Sequence, residues 1–262
     1  MTWFLSGFTS NTLPRRDKLV ILSAITGVTL LAWAYLFYLA THMSGMESGL
    51  SRKILHIQPW TITDGIFMFM MWAIMMVGMM LPSASPMVLL YAGMVRKAER
   101  QGTPLAPTAA FVLGYLIMWT GLSIGATCVQ WVLHQTALLS PMMMTKSHAV
   151  GAGLLFLAGG YQLTSWKNVC LDHCRSPMHF MADHWHPGLV GAVRMGIEHG
   201  AFCLGCCWAI MGLLFFGGVM NLLWIAGITL FVFLEKVAPM GKWGGRWAGI
   251  GMILAGMGVL LW

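Results

Sequence analysis

The stretch RMGIEHGAFCLGCCWAIMGLLFF, residues 194–216, is apolar enough to lie in a bilayer, yet it carries Glu198, His199, Cys203, Cys206 and Cys207. At about 100° per residue, with His199 at zero, Cys203 falls near 40°, Cys206 near 340° and Met195 near 320°, with Cys207 on the flank near 80°. Imidazole, thiols and a thioether therefore stack on one helical face over roughly three turns. A single free cysteine packs as a small hydrophobe, but packing gives no reason to align three of them with a histidine. Thiolate and thioether select Cu(I), whereas hard cations need oxygen donors, and the chain has only eight carboxylates. Zinc accepts Cys and His but has little use for methionine, so copper is expected ahead of zinc. Glu198 points about 100° away from this face. A carboxylate there needs a partner: Arg194 one turn earlier, or a metal-holding histidine on a neighbouring helix that it would steady.

Further soft donors lie elsewhere. In MFMMWAIMMVGMMLP, residues 68–82, Met68, Met71, Met75 and Met79 share an arc of about 80°. Methionine is also a flexible packing residue, but 24 of them in 262 residues, some beside histidines in THMSGMESG (41–49) and SPMMMTKSH (140–148), favour a ligand role. In WKNVCLDHCRSPMHFMADHWHPG, residues 166–188, Cys170 and Cys174 are four apart and share a face if helical, with His173 adjacent. His179, His184 and His186 follow and are equally readable as solvated loop residues. Reduced thiols on a cytoplasmic face serve as ligands or redox groups rather than as structural disulfides. Cys170, His173 and Cys174 form either a second metal set or part of the first, if this loop folds back onto the helix mouth.

The elements that must position these residues are membrane helices. Apolar residues make up 58% of the chain and charged residues 9%, far below the roughly 25% charged of soluble domains. Apolar runs near 19–40, 62–81, 107–133, 149–166, 196–216, 220–235 and 246–262 predict an all-α polytopic bundle of about seven spans forming one transmembrane domain over 1–262. The first run is about twice the usual signal-peptide core and no small-x-small site follows it, so a retained span is expected. Twelve of the fifteen basic residues then fall on one side: Arg15, Arg16, Lys18, Arg96, Lys97, Arg100, Lys167, Arg175, Arg194, Lys236, Lys242 and Arg246. Only Arg52, Lys53 and Lys146 fall on the other. The positive-inside rule places the N-terminus in the cytoplasm and the C-terminus outside. The net charge of +7 is explained by this loop bias, with the lipid bilayer as partner and no nucleic acid.

MWAIMMVGMMLPSASPM (71–87), YQLTSWKNVCLDHCRSP (161–177), EHGAFCLGCCWAIM (198–211) and GGVMNLLWIAGITLFVFLEKVAP (217–239) resemble the bacterial family of predicted metal-binding integral membrane proteins. The resemblance runs from about residue 68 to 240 and is carried most specifically by Cys-Leu-Gly-Cys-Cys-Trp together with Cys-x-x-x-Cys-Arg-x-Pro. Some members of that family are regarded as copper chaperones that supply a tyrosinase-type copper oxidase. The resemblance implies copper handling in the bacterial inner membrane and a copper-enzyme partner. The expected function is delivery or translocation of Cu(I), probed outside by Met and His, relayed along the Met face and held by Cys and His, with the direction left open. Neither a P-loop nor the Asp-Lys-Thr-Gly stretch of a pumping ATPase is present, so any transport must be passive or coupled to a partner; the chain is expected not to be an enzyme, with a redox enzyme as the runner-up. The alternatives are thiol–disulfide or quinone chemistry at Cys203-x-x-Cys206, a haem-binding electron carrier using His199, and a structural accessory subunit of a membrane complex. The last would use Gly121-x-x-x-Gly125 and the Gly-rich seventh run as packing surfaces.

Overall fold

The computed structural model describes residues 13–45, 60–103, 105–135, 147–238 and 241–261. Every regular element among them is a helix: α1 (Arg15–Gly45), α2 (Ile62–Arg100), α3 (Thr108–Gln135), α4 (His148–Gln162), α5 (Ser165–Arg175), α6 (Pro177–Asp183), α7 (Gly188–Gly212), α8 (Leu214–Gly217), α9 (Leu222–Val237) and α10 (Gly241–Leu261). The methionines Met46, Met142, Met143 and Met144 of the two Met/His segments lie outside the described residues, as do Arg52, Lys53 and Lys146.

Five helices are long and apolar enough to cross a membrane, not the seven expected: 15–42, 62–100, 108–135, 188–217 and 243–261. The two that fall short are α4, with 15 residues, and α9, with 16. At 1.5 Å per residue they reach only about 22–24 Å, against a hydrocarbon layer of about 30 Å. The apolar run at 149–166 is cut short where the chain breaks helix, whereas the run at 220–235 is no longer than α9 itself, whose 16 residues are shifted two positions along. Thr164 caps α5 through Lys167 N, which ends α4 two residues before, and Asn221 caps the start of α9 through Trp224 N.

Contacts fix how the rods run. Asp17 meets Arg96 and Ala32 lies beside Gly78, so α1 and α2 are antiparallel. Tyr115 meets Met80 and Gln130 meets Trp72, which makes α3 antiparallel to α2. Phe111, Gly114 and Met118 face Gly196, Ile197 and Gly200 in turn, so α3 and α7 are parallel. Parallel neighbours require a return between them, and the short α4 supplies it, with Tyr161 against Gly205 and Leu154 near Gly212. The return after α7 turns on Gly218, whose φ of 94° is a conformation that glycine adopts without strain.

The α3–α7 contact is a glycine interface. A methyl group built on Gly114 would sit 1.9 Å from the Val193 carbonyl oxygen, and one on Gly196 would sit 2.0 Å from that of Phe111. Small residues allow this backbone-to-backbone approach, the packing mode that membrane helices use where water supplies no driving force. At Gly121 and Gly125, the pair expected as a packing surface toward a larger complex, such a methyl group would meet nothing within 4 Å among the described residues. In the last helix Gly249 and Gly256 do pack closely, against Gly159 and Phe156 of α4.

In α2, Pro82 and Pro86 sit inside a 39-residue helix. The missing amide of Pro86 leaves the Pro82 carbonyl free, and Ser85 Oγ donates to it at 2.8 Å. Between these prolines and Met68 runs a column of methionines: Met71, Met75, Met76, Met79 and Met80 are each no more than 1% exposed. They share one core with Cys203, Cys206 and Cys207.

Candidate metal centre

The cysteine face of α7 points inward. Cys203, Cys206 and Cys207 are buried, with His199 and Met195 on the same side. Helix α5 folds back across α7 and brings its second cysteine near theirs, close enough for the Cys174 thiol to interact with Cys203 and Cys206. Those contacts, more than burial, hold the Cys174 proton on and raise its pKa well above the ordinary thiol value. Of the two sets whose relation the sequence left open, Cys174 thus lies beside the thiols of α7. Cys170 lies one turn away with its Sγ packed beside Gly205, where a methyl group would approach it to 2.8 Å. Burial pushes its pKa up as well.

Two residues outside the expected set reach the same sulfur. Lys236 Nζ of α9 donates to Cys203 Sγ at 2.7 Å and lies 3.5 Å from Ser83 Oγ. The Tyr115 hydroxyl lies 3.2 Å from Cys203 Sγ and donates to the Met80 carbonyl at 3.1 Å, tying the thiols to the end of the methionine column. Cys206 and Cys207 both donate through sulfur to the Cys203 carbonyl at 3.0 Å. The thiols thus meet in pairs, and among the described residues no three His, Cys, Asp or Glu side chains are already arranged around one ion. All six cysteines are free.

The remaining expected residues are placed differently. The His173 Nδ1 donates to the Val169 carbonyl at 2.8 Å and its ring stacks on Phe202, with centroids 4.3 Å apart, which takes it away from the thiols. His199 is enclosed by Phe111, Tyr115 and Phe180, and its Nδ1 is buried without a hydrogen-bond partner among the described residues. Met195 packs into a second core with Met87, Tyr91 and Met181, two turns from Cys203. Glu198 takes the first of its two expected partners, accepting from Arg194 Nε at 2.8 Å, with His186 Nε2 at 3.5 Å. Met71, Met75 and Met79 line the core that contains the thiols.

Lys167 and Lys236 are not loop charges as the topology argument took them to be; they are 1% and 5% exposed. Lys167 pairs with Glu235 inside the bundle, with Gly245 of α10 packed over the pair. The signal was present in the sequence as Glu-Lys at the end of an apolar run, where an ionisable residue calls for a partner. Tyr115 gave no signal, since a lone tyrosine in an apolar helix reads as core. Removing one member of the buried pair strands the other. Glu235→Leu is expected to destabilise the protein by about 3–5 kcal/mol, and Lys167→Met combined with Glu235→Leu to recover most of that loss. Unfolding of the three variants in detergent, read as a double-mutant cycle, measures this.

Fold and site together define a class: an all-helical bundle, with five helices of membrane-spanning length, whose core holds a cluster of thiols at the end of a column of thioethers. The chain belongs to the PpoB2 copper chaperone family, whose model matches residues 69–259. That match covers α2 through nearly all of α10, every thiol of the cluster and Lys236. No curated protein and no solved structure matches the chain. The family points to a non-catalytic role in copper handling.

Proposed function

We propose that the protein is a membrane metallochaperone that holds Cu(I) between Cys203 and Cys206, with Cys174 and Cys207 alongside, and passes it to a copper enzyme. The observation that carries this reading is the return of Cys174 onto Cys203 and Cys206 from a different helix. Sulfur donors from two elements, enclosed by apolar residues, suit a soft monovalent ion and exclude water that would favour harder metals. The hydrogen bonds from Cys206 and Cys207 to the Cys203 carbonyl are weak S–H···O contacts. Metal entry releases the thiol proton of each sulfur that binds the ion and replaces its S–H···O contact with a metal–sulfur bond. The orphaned His199 Nδ1 is a further nitrogen donor on the same face.

The methionine column is the path. From Met68 to Met79 the helix rises about 16 Å, ending where Met80 and Tyr115 meet the thiol cluster. Thioethers bind Cu(I) weakly enough for the ion to move between them, the balance that lets ions leave a selective pore. Replacing Met71, Met75 and Met79 together with leucine keeps the packing volume while removing the sulfurs. This triple variant is expected to retain copper at the thiols but to load and unload at least about tenfold more slowly. Stopped-flow transfer of Cu(I) to and from a chromogenic chelator, on protein in liposomes, checks it; unchanged rates remove the column from the path. The reading as a whole is tested by copper content after anaerobic loading and chelator washing of the full-length protein, with and without the cysteines.

A further inference from the structure

We propose that Lys236 is the counter-charge of the copper site and that its fixed positive charge sets a preference for a monovalent over a divalent ion. The inference rests on the copper reading above and deepens it.

Lys236 is a buried cation whose partners, Cys203 Sγ and Ser83 Oγ, include no carboxylate among the described residues. Its neighbours Lys167 and Glu235 neutralise each other. A buried ammonium without a counter-charge is costly, and the group placed to supply that charge is the sulfur 2.7 Å away. Surrounding these groups are methionines, Trp72, Trp119 and leucines, a low-dielectric lining.

Charge balance then discriminates among metals. Two thiolates with Cu(I) carry one net negative charge, and Lys236 brings the site to zero. With Cys203 and Cys206 as the two thiolates and Cys174 and Cys207 keeping their protons, Zn(II) makes the site neutral already, so the same lysine leaves one net positive charge in an apolar core. A unit charge held this close to the metal in a low-dielectric core interacts with it strongly enough to discriminate between two metals that both accept thiolate. Ligand softness alone leaves zinc competitive, since zinc binds cysteine well; the lysine adds a term that softness lacks. Lys236 acts through the charge of the site, without being a ligand.

The test uses full-length protein in detergent, with Cu(I) supplied anaerobically and Zn(II) separately, each titrated against a competing chelator. In Lys236→Met the Cu(I) affinity is expected to fall and the Zn(II) affinity to hold or rise, lowering their ratio by at least about tenfold. Lys236→Arg, which keeps the charge, is expected to preserve the ratio. Lys236→Gln keeps a hydrogen-bond donor for Cys203 without the charge and is expected to behave as Met does; it also serves if the Met variant does not insert. A Gln variant with the wild-type ratio, or Met and Gln variants in which both metals weaken in parallel, would overturn the role of Lys236 while leaving the copper site standing. If the wild-type protein retains no Cu(I), or retains it without Cys203, Cys206 and Cys207, the copper reading itself falls and this role with it.

Discussion

Protein carrying Cys203→Ser and Cys206→Ser is expected to lose its copper on chelator washing, with affinity down by more than about a hundredfold, while Cys170→Ser keeps the wild-type load. Loss of a group that merely orients a metal ligand costs about 10–100-fold, so loss of two sulfurs that would hold the ion directly must exceed that. Cys174→Ser is expected to fall between the two, because its thiol contacts both Cys203 and Cys206 whereas Cys170 packs beside Gly205. Serine is nearly isosteric with cysteine, and the hydroxyl can keep the bond that Cys206 makes to the Cys203 carbonyl. The double variant should therefore insert and run as wild type on size exclusion. Copper-to-protein ratios by elemental analysis decide the ranking. Equal losses for Cys170→Ser and Cys203→Ser would mean that the ion sits nearer the start of α5 than the geometry places it.

The second large effect belongs to the scaffold. Gly114→Ala and Gly196→Ala are each expected to destabilise the bundle by more than about 3 kcal/mol, at or beyond the upper end of ordinary overpacking. Each added methyl would meet a backbone carbonyl at 2.0 Å or less, and a backbone inside a helix has no rotamer through which to yield. The only relief is separation of α3 from α7, which pulls Tyr115 from Cys203 and opens the core that holds the thiols. Gly121→Ala and Gly125→Ala serve as controls. Among the described residues nothing lies within 4 Å of a methyl group added at either position, so alanine there is expected to be neutral or stabilising by up to about 1 kcal/mol. Thermal unfolding in detergent, with yield of monodisperse protein, separates the two pairs. Gly114→Ala as stable as Gly121→Ala would show that the helices are farther apart than described.

What the sequence displayed and what it concealed follow from the range of the interactions. Helical periodicity is local, so the shared burial of Met195, His199, Cys203 and Cys206 on α7 and of Met71, Met75 and Met79 on α2 was legible from 3.6-residue spacing alone. Helix length was less so: the apolar run at 149–166 does not reveal that Thr164 caps a new helix, so α4 ends short of it, while the run at 220–235 matches α9 in length and both fall short of a span. The return of α5 onto α7 depends on tertiary packing, which is why the sequence left Cys174 either in a second site or in the first. Lys236 was misread for a related reason. Its position at the end of an apolar run resembles a loop charge that obeys the positive-inside rule, and only the contact with Cys203, 33 residues away in sequence, reveals otherwise. His173 erred in the opposite direction, adjacent to Cys174 in sequence yet turned onto Phe202.

The central claim is that the thiols of α7, with Cys174 of α5 alongside, hold the metal, and X-ray absorption at the copper edge of anaerobically loaded, full-length protein tests it most directly. The account predicts Cu(I) with a neighbour shell dominated by sulfur, which disappears when Cys203, Cys206 and Cys207 are replaced with serine. A shell of nitrogen and oxygen alone, or a sulfur shell that survives that replacement, would contradict it.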